Sequence, residues 1–128
     1  MFLHIQNGIE IQHSAQFVAR LKTHLGPVFV FNQKIVIRNY NDFPLLLTNR
    51  HWEIKDLYWQ SSELSGEGFT GQVPLILPNS SFSYSTLLHF RSFIGKIKGY
   101  YTLISSEDSR LFKIEFPEFQ LIASHILN

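Results

Sequence analysis

The chain contains no cysteine, which excludes disulfide scaffolds, thiolate zinc sites and cysteine nucleophiles and leaves nothing that calls for an oxidising compartment. A cytoplasmic address is expected. It has no apolar run near the roughly 20 residues of a membrane helix, and its start, MFLHIQNG, lacks both a basic flank and a long apolar stretch. Neither a membrane partner nor an export leader is expected. Charge of one sign is also scarce: the formal net charge is +1 with Lys and Arg scattered, so the basic stripe of a nucleic-acid binder is missing. Nucleic acid is not expected as a partner. No repeat, low-complexity tract or linker interrupts the 128 residues, which fit one domain with one core.

Catalytic and metal-binding patterns are absent as well. The histidines stand at 4, 13, 24, 51, 89 and 125 with no HxH or HxxxH pair, and Asp42, Asp56 and Asp108 lie in separate turns, so no metal site is expected. There is no GxSxG elbow and no clustered carboxylate pair; the expectation is no catalytic residue, no cofactor and no enzyme.

What is present is alternation. Ile9, Ile11, Ala15 and Phe17 share one parity against Glu10, Gln12, Ser14 and Gln16, the period of a half-buried strand. His13 falls on the apolar parity. Asn7-Gly8 is a tight-turn dipeptide, and Leu3 and Ile5 can pair back in a small hairpin. Residues 14–26 also fit a short helix capped by Ser14 and Gly26; a strand followed by an irregular loop is preferred. Pro27 opens a strand with Phe29, Phe31, Ile35 and Ile37 on one face. Later strands carry Phe82 and Tyr84 against serines, Ile97, Tyr101 and Leu103 against Lys96, Lys98 and Thr102, and Phe112, Ile114 and Phe116 up to a stop at Pro117. About seven short strands with turn signals between them predict an all-β fold, an antiparallel β-sandwich.

The stretch 46–71 concentrates the unusual residues: both tryptophans, the triplet Arg50, His51 and Trp52, and GxGxxG at Gly66, Gly68 and Gly71. A hairpin with arms 46–56 and 60–66 puts Trp52 opposite Leu64 and Arg50 opposite Gly66, with Leu46, Trp52 and Ile54 on the core parity. A dinucleotide fold needs a helix after its glycine motif, but Pro74 stands among Val73, Leu75, Ile76 and Leu77, so that reading is rejected. Two remain. The glycines, with Glu67, Phe69 and Thr70 between them, form structural corners, or an amide-lined anion site to which Arg50 and the neighbouring His51 contribute. Corners are favoured. Arg50 shares the parity of Trp52, so either a bulge near Asn49 turns it out, or it sits at the sandwich's end on Glu67 or loop carbonyls.

Asn49 to Trp52, Gly66 to Gly71, Pro78, Phe82 to Tyr84, Gly95, Gly99, Tyr100 and the EFPEF of Glu115 to Phe119 stand in the order found in ApaG (DUF525) domains. Over about residues 27–121 the sequence resembles that family, with residues 1–26 divergent and Phe69-Thr70 in place of the usual small aliphatic pair. The resemblance implies a fibronectin type III-like, immunoglobulin-like sandwich. It also implies a non-catalytic module binding an as yet unidentified protein partner, with a loose family association with cobalt resistance and magnesium efflux. The alternative it carries is pyrophosphate or nucleotide binding at Arg50 and the Gly66 to Gly71 loop.

Overall fold

The computed structural model describes residues 2–57, 62–67 and 72–123, without the side chains of residues 2 and 62–67. Its described residues form nine strands and no helix, arranged as two antiparallel sheets. In the first sheet β1 (Phe2–Gln6), β2 (Ile9–Thr23), β3 (Gly26–Asn39) and β7 (Ser81–Phe90) lie in that order. The second runs β5 (Ser62–Glu67), β4 (Leu45–Asp56), β8 (Ile94–Ser105) and β9 (Leu111–Ile122), with the two-residue β6 (Leu75–Ile76) also paired to β4. The sandwich is as expected; the strand count exceeds seven because the short β1 and β6 join the sheets.

Asn7 and Gly8 both have positive φ, 54° and 71°, the conformation that lets a two-residue loop match the twist of its strands. Gln6 therefore pairs with Ile9, and β1 folds back on β2. Residues 14–26 are neither helix nor irregular loop. β2 continues to Thr23 through a bulge between Phe17 and Ala19, and Thr23 pairs with Gly26 across a two-residue loop. The Thr23 hydroxyl, donating to the Gly26 carbonyl at 2.7 Å, closes that loop. Sheet pairing of every second residue with β3 outweighs the weak helical period of this segment.

The core lies between the sheets, where Ile9, Ile11, Phe31, Ile35 and Ile37 of the first meet Leu45, Leu47, Trp52, Ile97, Tyr101, Leu103 and Ile114 of the second. Asn39 holds the sheets together at one end. Its buried amide donates to the carbonyls of Phe43 at 2.8 Å and Ile76 at 3.2 Å and accepts from the Asn41 N–H at 2.9 Å. At the other end Asp56 accepts from the N–H groups of Arg91 and Ser92 and from the Ser92 hydroxyl, tying β4 to the turn before β8.

Two parities differ from expectation. Leu45 and Leu47 are buried while Leu46 faces out, because Thr48 is an extra residue between the pairs Leu47–Leu103 and Asn49–Thr102. One inserted residue exchanges the faces of everything before it. Pro117 does not end its strand: β9 passes through it at a register shift between the pairs Ile97–Phe119 and Gly99–Phe116. Its missing N–H is tolerated because β9 is an edge strand bulged at that point.

Candidate functional site

The central hairpin pairs as its sequence predicts, Trp52 opposite Leu64 and Arg50 opposite Gly66. Trp52 is 3% exposed, and its indole N–H donates to the Tyr101 hydroxyl at 3.0 Å. The Thr48 bulge does not rotate Arg50 away. It remains on the inward parity, half-buried, opposite Tyr101 on β8, with its guanidinium carbon 5.8 Å from the Trp52 ring centre. A cation over an indole face recovers part of the hydration it gives up. His51 faces the other way and stacks on Tyr100 with ring centres 4.9 Å apart; Lys113 Nζ lies 4.2 Å from the centre of that Tyr100 ring. Gly66 and Glu67 close β5 beside this place, whereas Gly68, Phe69, Thr70 and Gly71 lie outside the described residues.

Beneath Arg50 runs a buried polar chain. The Tyr101 hydroxyl, accepting from Trp52, lies 3.3 Å from His13 Nε2, so the tautomer protonated on Nδ1 lets tyrosine donate to histidine. Burial holds the His13 imidazole well below its ordinary value, at about 3, because its ring is enclosed by Phe116 at 4.4 Å and Phe119 at 5.3 Å and charge there is poorly solvated. Burial likewise raises the Tyr101 phenol far above the ordinary tyrosine value, against the opposing pull of the Trp52 hydrogen bond and the Arg50 charge. Both groups are neutral at physiological pH and take no direct part in acid–base exchange with solvent.

The outer face of the second sheet is divided. Its far half is charged and internally paired: Lys98 with Glu53 at 3.7 Å, Lys55 and Lys96 with Glu118 at 3.3 and 3.7 Å, and Lys113 with Glu115 at 3.6 Å. The Lys55 ammonium is the main reason that the Glu118 carboxyl lies below its ordinary value. The near half is apolar. Leu75 pairs with Leu46, Leu46 with Ile104, and Ile104 with Leu111, so four aliphatic side chains form one row across β6, β4, β8 and β9. Leu75 is 54% and Leu111 64% exposed, and the exposed Val73 and Leu77 flank the row. Sequence reasoning missed it, since Leu46 was assigned to the core and the four residues meet only through three strand registers.

Among the described residues no three His, Asp or Glu side chains gather as a metal site would require.

The model of the ApaG domain (DUF525) matches residues 20–105. The chain belongs to the ApaG domain family. Protein ApaG of Chromobacterium violaceum and that of Dechloromonas aromatica are each 33% identical to it over 120 residues, 94% of this chain and of theirs. Among solved structures, an X-ray structure of a structural-genomics target superposes with a TM-score of 0.83 at 26% identity, covering 91% of this chain and 87% of that one. The putative ApaA protein of Bordetella pertussis gives 0.79 at 26%, covering 89% and 92%. The sandwich is thus the fold of the family, and Arg50, Trp52 and Gly66 belong to its ApaG domain.

Proposed function

We propose that this ApaG domain is a non-catalytic binding module, acting in the cytoplasm, whose ligand is another protein. The observation that carries this reading is the row Leu75, Leu46, Ile104 and Leu111, aliphatic side chains left facing outward on a sheet that already has a full core. Exposed apolar surface of this contiguity marks interaction sites more often than ordinary surface. The family's loose association with cobalt resistance and magnesium efflux would then act through the partner, not through metal held by this chain. The test is capture from native lysate with the wild-type chain and with Leu75→Asp/Leu111→Asp, both positions exposed enough to accept a carboxylate without unfolding. A partner held by the wild type and lost by the variant supports the proposal; identical capture by both refutes it.

A second reading is kept by the register that sets Arg50 opposite Gly66: pyrophosphate or a nucleotide bound beside the guanidinium. Arg50→Lys separates the roles, because an ammonium cannot reproduce the planar donor fork. If Arg50 is a structural tie, the variant melts lower and pyrophosphate shifts neither protein. A wild-type melting temperature raised by pyrophosphate, with the rise lost in the variant, would put ligand binding first.

A further inference from the structure

Among the described residues β1 and β7 edge the first sheet, and β5 and β9 the second. Short length, charge, proline and bulges are the devices that stop such an edge from pairing with foreign chain. β1 is five residues long and β5 six, while β9 carries Lys113, Glu115, Pro117, Glu118 and a register shift. β7 has none of these devices. Its ten residues, SFSYSTLLHF, contain no charged side chain and no proline, and they pair with β3 from Phe29–Phe90 to Arg38–Ser81 without a shift.

The Asn39 N–H donates to the Ser80 carbonyl at 2.9 Å, which makes Asn39–Ser80 a hydrogen-bonded pair, and such pairs alternate with open ones along an antiparallel ladder. The even-numbered residues of β7 therefore bond to β3. Ser81, Ser83, Ser85, Leu87 and His89 turn their N–H and C=O groups the other way, to a side on which no described strand pairs, and their side chains are exposed on the outer face of the sheet. Two exposed cations stand behind them on β3, Lys34 opposite Ser85 and Arg38 opposite Ser81. Neither forms an ion pair with a described residue. Glu10, across from Arg38 on β2, accepts instead from the Gln12 amide at 2.7 Å and the Tyr40 hydroxyl at 3.2 Å. Serine is short, so both cations have clearance to extend over β7 toward a strand added at its edge.

We propose that β7 receives an extended acidic segment of a partner protein as an additional strand, with main-chain bonds to the outward groups from Ser81 to His89 and carboxylates on Lys34 and Arg38. In this mode of recognition backbone pairing supplies affinity, and side chains at alternate positions select the sequence. The cations set the motif. Four residues apart along β3, at about 3.3 Å per residue, they lie about 13 Å apart on one face, and acidic residues at positions i and i+4 of the added strand match them. A second copy of this chain fits less well. The antiparallel register that pairs all the outward residues of both copies centres on Ser85, and it directs two Lys34 side chains toward one axis with no anion between them.

This edge belongs to the other sheet from the Leu75 to Leu111 row and is tested separately from it. The probe is the peptide TVEVTVEVTV with blocked ends, and its control is TVQVTVQVTV. In NMR titrations of the full chain the acidic peptide should saturate below about 1 mM and slow hydrogen exchange most at the odd-numbered amides of β7, since the even-numbered ones are already bonded to β3. The control, and the acidic peptide in about 0.5 M salt, should bind roughly fivefold more weakly. Ser85→Pro removes one outward N–H without touching a bond to β3 and should abolish binding. Should that variant not fold, Lys34→Gln/Arg38→Gln, at exposed positions, should lower the affinity for the acidic peptide to that for its control. Leu75→Asp/Leu111→Asp should bind the peptide as the wild type does. No protection of the odd-numbered amides up to about 5 mM peptide, equal binding of the two peptides, affinity unchanged in the folded β7 and β3 variants, or binding lost in the row variant would each overturn the proposal. So would protection of the same amides by raised protein concentration alone, which makes a second copy the occupant.

Discussion

His13 makes acid the sharpest probe of this core. The unfolded chain takes up a proton on His13 as pH falls below the ordinary value of 6.5, whereas the folded protein resists until about 3. The folded value is the lower one, so the unfolded state binds more protons across that window and stability rises with pH through it. The contribution is complete above about pH 6.5 and is lost progressively as pH falls toward 3. At 1.36 kcal/mol per unit, the full span is worth about 5 kcal/mol, and about 2 kcal/mol is already lost at pH 5. That is a large share of a typical domain's stability, about 5–15 kcal/mol. The control is His13→Gln, uncharged at every pH and able to accept from the Tyr101 hydroxyl in place of Nε2. Urea unfolding at neutral pH and near pH 5 should show the wild type losing about 2 kcal/mol more than the variant over the same interval. The pH-independent cost of the substitution cancels in this difference. So do the surface carboxylates Asp108 and Glu118, which are lowered by Arg110 and Lys55 in either protein. Equal pH dependence of wild type and variant would refute the buried, neutral assignment.

Three further outcomes are expected. Trp52→Ala should cost about 3–5 kcal/mol in denaturant unfolding, from the emptied volume and the lost bond to Tyr101; a change below about 1 kcal/mol would contradict its core position. Gly99→Ala should cost at least about 2–3 kcal/mol, or prevent folding, because its Cβ would overlap the backbone carbonyl oxygen of His51; a melting temperature equal to wild type would show that the two strands do not approach so closely. Asp56→Ala should cost about 2–3 kcal/mol and speed hydrogen exchange at the Arg91 and Ser92 amides, which it caps; unchanged exchange there would remove it as the tie between β4 and the β7–β8 turn.

What the sequence revealed followed from local alternation. Trp52 and its hairpin register were legible because an uninterrupted period of two carries from Arg50 to Ile54 and a short turn fixes the partner strand. Strict alternation likewise exposed the inward face of β3. Failures came where a single residue breaks the period. Thr48 leaves no compositional mark as a bulge, so Leu46 read as core; Pro117 marks a stop in most strands but only a bulge on this edge. The interior polar chain was half-visible: His13 stood out on an apolar parity, but its meeting with Tyr101, 88 positions away, depends on the stacking of the two sheets. The apolar row was invisible because no two of its members are neighbours in sequence.

The Thr48 bulge also explains why one strand serves two candidate surfaces. With regular alternation through β4, an inward Trp52 would require Leu46 inside and Leu45 and Leu47 outside. The extra residue, held by its hydroxyl's bond to the Thr102 carbonyl at 3.0 Å, puts two leucines into the core and only one out. That one completes the row from Leu75 to Leu111. On the other side of the bulge regular alternation keeps Arg50 in step with Trp52, where its cation lies over the indole and beside the backbone of Gly66. The outward row and the inward arginine therefore lie on the two sides of one bulge in a single strand. Only the row depends on the position of the bulged threonine: with the bulge moved N-terminal to Leu46, Leu46 would turn inward and leave the row, while Arg50 would keep its place.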